Sequence, residues 1–303
     1  PAACVYMFGK MVKDKRQGFA ILGAMLILFA GGLALTVWSE GSASAAMEQS
    51  GMSADAPNLE GKEQRLGANE SALWATATTA ASNGSVNSMH DSFNPVGGVA
   101  PMFNMAVGEV IFGGVGSGLY GMLFYVILAV FIGGLMVGRT PEYLGKKIGA
   151  REVKIALLAI LIPFLLTLGA AAISVVAPFT LEGRNNVGPH GFSEILYAWK
   201  SMGNNNGSAF AGLTATNWFY SVGGGVVMLA ARFVPLAAAL ALAGSFAEQG
   251  KVPETAGTLR TGTPLFTGLL TGVVVIIGGL TFFPALTIGP IVEQLLGNAG
   301  QLG

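Results

Sequence analysis

Long apolar runs separated by short clusters of charge set the pattern of this chain. Phe19 to Trp38 carries no charge, and about 20 such residues at 1.5 Å per residue are enough to cross a bilayer core as a helix. Ile155 to Phe179 repeats that pattern, and Trp218 to Phe246 and Pro264 to Leu296 are long apolar runs with one charge each, Arg232 and Glu293. Pro101 to Val137 is longer still and is interrupted by Gly113-Gly114-Val115-Gly116-Ser117-Gly118. Two further stretches, Ser71 to Ala81 and Gly191 to Gly203, are apolar enough to leave water but too short to cross. The pattern predicts five full spans and two short helices. Pro1 to Phe8 reads as the tail of an upstream span. With proline first and no charged n-region ahead of it, the chain reads as one that begins inside a helix, without a signal peptide.

Charge then sets orientation. Lys10, Lys13, Lys15 and Arg16 form one basic cluster, Arg139, Lys146, Lys147, Arg151 and Lys154 a second, and Lys251 with Arg260 a third. By the positive-inside rule these loops are cytoplasmic. The acidic-leaning Glu40–Asp91 region and the Glu182–His190 loop fall outside. Five spans agree with that assignment only if both short helices enter and leave on the outer side, which makes them re-entrant.

Composition narrows the class. Hydrophobic residues make up 52% and charged residues 11% of the chain, against about 25% charged in soluble domains; this predicts an all-α, multi-pass membrane protein in contact with the lipid bilayer. A formal net charge of zero gives no support for a nucleic-acid partner. Cys4 is the single cysteine, so neither an internal disulfide nor a Cys-based metal site is expected.

Each short helix is followed by an Asn-Gly loop, Ser82-Asn83-Gly84 in one case and Asn205-Asn206-Gly207 in the other, and then by a long apolar run. The unit of span, short helix, loop and span therefore occurs twice. Such repeats in membrane proteins surround a shared site. A short helix running inward presents the negative end of its dipole at mid-membrane, which favours a cation there. Asn and Gly tolerate positive φ, so such a loop can aim several carbonyls at one axis, where they replace an ion's water shell. Neither loop holds a carboxylate. That predicts a weakly hydrated monovalent cation, since Ca²⁺ and Mg²⁺ sites recruit carboxylates. The competing reading is two ordinary tight turns, for which Asn-Gly is a common signal.

Several blocks now carry a family resemblance: Thr78-Thr79-Ala80-Ala81-Ser82-Asn83-Gly84, His90-Asp91-Ser92-Phe93, Gly113 to Gly121, Gly138-Arg139-Thr140-Pro141-Glu142-Tyr143, Gly188-Pro189-His190-Gly191-Phe192-Ser193-Glu194 and Asn204-Asn205-Asn206-Gly207-Ser208-Ala209-Phe210. Together they resemble the family of potassium-binding subunits of the Kdp potassium-transporting ATPase, in its C-terminal part, over essentially the whole chain. The resemblance implies the fold of the K⁺ transporter superfamily, with span–pore helix–filter loop–span units around one selectivity filter. It divides the chain into a tail and cytoplasmic loop (1–16), a third pore repeat (17–138), a cytoplasmic loop (139–152), a fourth repeat (153–247), and a loop with a final span (248–303). It implies a non-catalytic subunit of a bacterial inner-membrane complex, which takes K⁺ from outside and passes it through a tunnel to a separate P-type ATPase subunit. Accessory small subunits complete the complex, and no organic cofactor is expected. Ser82, Asn83 and Gly84 match the family's third filter segment and Asn205, Asn206 and Gly207 its fourth, so half the filter is absent. Asn83 stands where the family usually has cysteine.

Other features gain roles from position. Arg232 is a charge inside a span, a functional candidate by default; the alternative is a structural pair with a carbonyl or with Glu109. In the resemblance it lies below the filter and repels cations. Gly113, Gly114, Gly116 and Gly118 do not form a nucleotide loop, which needs a strand before it in a soluble domain. They predict either tight packing or a helix break, and the resemblance makes that break a gate. His90-Asp91-Ser92 has triad residue types but not triad spacing, so a loop role is expected, and His190 is expected to orient the start of its short helix. A pore subunit of a Trk/Ktr-type uptake system is the near alternative. An intramembrane enzyme would need paired carboxylates or a nucleophile with its base, and Glu109 is the one carboxylate well inside a span. The topology has a direct check: a cysteine placed in the 139–154 loop is expected to react with an impermeant thiol reagent only from the cytoplasmic face.

Overall fold

Helices make up most of the computed structural model, which describes all residues except 215, 254, 256, 302 and 303. The final segment of the expected division, 248–303, includes four of these residues, which lie outside the described ones. Among the described residues five helical stretches are long and apolar enough to span, over Lys15–Gln49, Ser117–Met136, Ala150–Val176, Phe219–Glu248 and Pro264–Asn298.

The chain opens with α1 (Ala2–Met11), which folds back on α2 (Lys15–Glu40) through a turn at Lys13. The Asp14 side chain caps α2 by accepting from the Arg16 backbone N–H at 3.0 Å. Gly9 and Gly18 let the two backbones touch, since a Cβ on Gly18 would lie 2.8 Å from the Val5 carbonyl oxygen. Beyond α2, the short α3 (Ala45–Gln49) leads through an outer loop to α4 (Gly67–Ala80), the first of the two short helices.

The stretch after α4 differs from a single long span. Here α5 (Pro95–Ala106) stops, residues 107–116 form an irregular loop, and α6 (Ser117–Met136) resumes. The break starts well before the Gly113–Gly118 run. Gly108 takes φ 84°, its N–H donates to the Met105 carbonyl at 3.0 Å, and the Glu109 N–H donates to the Asn104 carbonyl at 3.0 Å. That is a Schellman stop with glycine at the left-handed position. Gly113, Gly114 and Gly116 lie in the loop, whereas Gly118 already belongs to the first turn of α6.

After α6 a hairpin of β1 (Glu142–Tyr143) and β2 (Lys146–Lys147) turns at Leu144-Gly145, both at positive φ as a type I′ hairpin turn requires. Then α7 (Ala150–Val176) crosses, α8 (Pro178–Leu181) forms one turn, and α9 (Gly188–Asn204) is the second short helix. A π-helical turn at Phe219–Gly223 leads into α10 (Gly224–Glu248), which packs along α7. Last come α11 (Pro264–Leu286) and α12 (Val292–Asn298), separated by a second π-helical turn.

The outer part of the first unit is tied together at Glu40. Its carboxylate pairs with the Lys62 ammonium at 2.8 Å and accepts from Asn58 and from the Asn94 backbone N–H, each at 2.9 Å. Both side chains of the ion pair are wholly buried, and the Lys62 ammonium also lies 4.3 Å from the Phe93 ring centre. Three segments, the end of α2, the outer loop and the start of α5, thus share one carboxylate. Lys62→Met leaves that carboxylate buried and unpaired. It is expected to destabilise the protein by about 3–5 kcal/mol, seen as a lower thermal midpoint in detergent, with Glu40→Gln/Lys62→Met recovering most of the loss.

Candidate ion-binding site

The two Asn-Gly loops adopt the same local geometry. Ser82 and Asn205 both take left-handed φ, 52° and 55°, directly after their short helices, and Gly84 and Gly207 follow at 83° and 94°. The Asn83 N–H donates to the Thr78 carbonyl at 3.1 Å and the Asn206 N–H to the Ser201 carbonyl at 3.0 Å. Each middle asparagine then folds its side-chain oxygen onto the serine two residues on: Asn83 Oδ1 accepts from the Ser85 N–H at 3.0 Å, and Asn206 Oδ1 from the Ser208 N–H at 2.8 Å. These asparagine turns hold the loop without help from strand or helix. Asn83 therefore directs its side chain along its own loop, where it also accepts from the Ser85 hydroxyl. The loops touch. A Cβ on Gly84 would collide with the Asn206 carbonyl oxygen, and one on Gly207 would come within 3.9 Å of the Gly84 Cα.

Asn206 binds the two units to each other. Its side-chain amide donates to the Thr78 carbonyl at the end of α4 (2.9 Å) and to Glu109 Oε1 (2.6 Å). Glu109 is buried in the loop between α5 and α6 at φ 51°. So a carboxylate does stand against a filter-like loop, although none belongs to either loop in sequence. Reading along the chain misses this placement because Glu109 comes in from another element. One signal is present: Glu109 and Arg232 are 123 positions apart, as are Asn83 and Asn206. The two ionisable side chains, one acidic and one basic, occupy the same position of the repeat.

One cavity beside the loops is lined by Ser82, Glu109, Gly114, Ser117, Asn205 and Arg232. It brings together members of both loops, the glycine run and both charges. Asn83 and Gly207 are exposed, and neither they nor Gly84 and Asn206 line that cavity.

A hydrogen-bonded chain reaches the second loop from the segment before α5. His90 Nδ1 lies 2.7 Å from the Tyr197 hydroxyl, which lies 2.8 Å from the Ser208 hydroxyl. Ser201 Oγ donates to the Ser208 carbonyl at 2.8 Å. Burial, and then the Lys62 charge, hold the His90 pKa down at about 4, so this imidazole is neutral. His190 is its opposite. It lies 2.9 Å from Asp91 Oδ1 through Nε2 and 2.6 Å from Glu293 Oε1 through Nδ1. Burial would lower its pKa, but those two hydrogen-bonded carboxylates outweigh burial and raise it to about 10. Both histidines act as loop ties. His190 does sit at the start of its short helix, as expected, and it also joins the loop after the first Asn-Gly segment to α12.

Taken together, five helical stretches able to span, two short helices and two glycine loops meeting beside a polar cavity define an all-α, multi-pass membrane protein with a repeated span–short helix–loop–span unit. Residues 1–295 match the family model described as potassium-transporting ATPase A subunit, and the chain belongs to that family of bacterial membrane transport proteins. It is 56% identical over 300 residues to the potassium-transporting ATPase potassium-binding subunit of Methylorubrum extorquens, covering 99% of this chain and 52% of that one. The proteins of the same description from Sorangium cellulosum and Bradyrhizobium diazoefficiens are 56% and 54% identical, over 97% and 99% of this chain and 52% and 53% of theirs. The chain spans about half the length of these curated relatives.

A pH dependence follows from His190. Its folded pKa is raised above the ordinary 6.5 to about 10, so the stability it contributes is complete below about pH 6.5 and is lost as pH rises towards 10. In thermal melts, the gap between the protein and its His190→Gln variant is expected to be widest at about pH 6 and to close by about pH 10.

Proposed function

We propose that this chain supplies part of the potassium-binding and translocating subunit of an ATP-driven K⁺ uptake complex. Ser82-Asn83-Gly84 and Asn205-Asn206-Gly207 contribute two segments of a backbone-carbonyl filter that takes K⁺ from the extracytoplasmic side. In this reading residues 17–138 and 153–247 are its third and fourth pore repeats. The ion then passes to the catalytic P-type ATPase subunit, which alone hydrolyses ATP, in a complex completed by accessory small subunits.

The observation that carries this is the matched geometry of the two loops. The same left-handed residue, the same asparagine turn and the same positive-φ glycine recur at one spacing. Ordinary turns have no reason to share all three. Each loop also sits at the C-terminal end of its short helix, where the dipole favours a cation. The folded-back side chain of Asn83 leaves the backbone as the available ligand, so the residue type there matters less than its conformation. Below the loops Glu109 attracts a dehydrating cation and Arg232 repels it. Gly113, Gly114 and Gly116 let the backbone between α5 and α6 turn beside that cavity as a gate, with Gly118 seating the start of α6.

Aspartate at Gly84 or Gly207 tests the reading in the full-length subunit assembled with its complex. It places a β-carbon where φ is positive, at a strain of about 1–3 kcal/mol, and adds a carboxylate to the carbonyl ring. K⁺-stimulated ATP hydrolysis is expected to need more K⁺ and to discriminate less against Na⁺ in both variants than in the parent. Unchanged affinity and selectivity in both would remove the filter assignment.

A further inference from the structure

The broken helix α5 ends inside the protein, and its last turns are held by side chains from elsewhere. Lys200 Nζ donates to the Met102 carbonyl at 3.2 Å, Asn204 Nδ2 to the Met105 carbonyl at 2.7 Å, and the Tyr125 hydroxyl to the Val107 carbonyl at 3.0 Å. Lys200 and Asn204 stand one turn apart on the same face of α9. Past Asn204 that helix becomes the second Asn-Gly loop, and past Ala106 the α5 chain becomes the loop that carries Glu109 to Asn206.

Lys200 is the unusual member. It is fully buried, and among the described residues no carboxylate pairs with it. Its ammonium has the Met102 carbonyl and the face of the Phe282 ring, 4.8 Å from the ring centre. A methionine would fill the same space without the cost of burying a charge, so packing alone does not account for a lysine. The end of α5 does. The negative end of the helix dipole lies there; Lys200 and Asn204 add side-chain donors to it, the Met105 carbonyl also accepting from the Gly108 N–H at 3.0 Å. The repeat supplies an internal control. The positions 123 residues earlier are Ala77 and Ala81, neither of which can donate from a side chain. The helix equivalent to α5, α10, runs on without a break past Gly225, the counterpart of Met102.

We propose that Lys200, seconded by Asn204, is a positioning residue that clamps the cut end of α5 to the pore helix α9, so that the Glu109 loop and the Asn206 loop move as one body. This rests on the filter reading for its effect on ion binding, but not for its effect on the loop. Charge-assisted hydrogen bonding to the carbonyl fixes the end of α5; the ring face of α11 holds the ammonium from the other side. Releasing the clamp frees residues 107–116 to leave the cavity beside the loops.

The test uses the full-length subunit in its assembled complex, with Cys4→Ser and a reporter Ser117→Cys at the cavity wall. Lys200→Met is expected to raise the rate of thiol modification at residue 117 about tenfold, the change expected when a buried hydrogen bond to a charged group is lost. It is also expected to raise the KM for K⁺ in ATP hydrolysis several-fold while kcat changes less. Asn204→Ala is expected to act in the same direction, and it decides the matter if Lys200→Met does not assemble. Modification at the parent rate in an assembled variant overturns the proposal, whatever happens to yield or thermal stability. Accelerated modification, combined with Gly84→Asp and Gly207→Asp variants that leave K⁺ dependence untouched, would keep the clamp and remove the filter reading instead.

Discussion

Irregular backbone at membrane depth must find all its hydrogen-bond partners within the protein, and the rest of this structure is arranged around meeting that demand at Asn206. One side chain there serves three partners. Its amide donates to Thr78 of the other unit and to Glu109 of the broken helix, while its oxygen accepts from Ser208 in its own loop. Without such a residue the two loops would be separate turns. With it, the end of one pore helix, the neighbouring loop and the break below share one set of bonds.

The outer shell serves the same end by different means. Charges that would be costly alone are used where segments from distant parts of the chain must meet. Glu40 and Lys62 join α2 to the outer loop and to α5. Protonated His190 joins Asp91 to Glu293. These ties fix where α4, α5 and α9 start, and the orientation of a short helix decides where its dipole points. The His90–Tyr197–Ser208 chain carries that order from the outer loop to the second Asn-Gly segment.

The spans were legible because each is a long apolar run closed by charge, and a bilayer-crossing helix has no other pattern to offer. The two short helices were legible for the opposite reason: they are apolar but too short, and each ends in residues that accept positive φ. The break between α5 and α6 was legible in kind but not in place. The glycine run drew attention to Gly113–Gly118, while the stop itself is one Schellman glycine, Gly108, inside the apolar sequence Met105-Ala106-Val107-Gly108. A lone glycine there reads as easily as a packing residue. Lys200 went unread for a similar reason, since a lysine in a short half-polar helix has no partner visible along the chain.

By itself the sequence determined the class of structure, the number of apolar spans and the place of the two short helices with their Asn-Gly loops, because all of these rest on local hydrophobicity and on residues with local conformational freedom. Only the tertiary structure decided which groups stand against those loops. Glu109, Lys200 and Asn204 reach their partners from helices that are distant in sequence, and a hydrogen bond between Asn206 and Glu109 leaves no periodic trace in either segment. The equal spacing of Glu109 and Arg232 within the repeat was written in the sequence. It acquired meaning only once folding had placed both charges on the wall of one cavity.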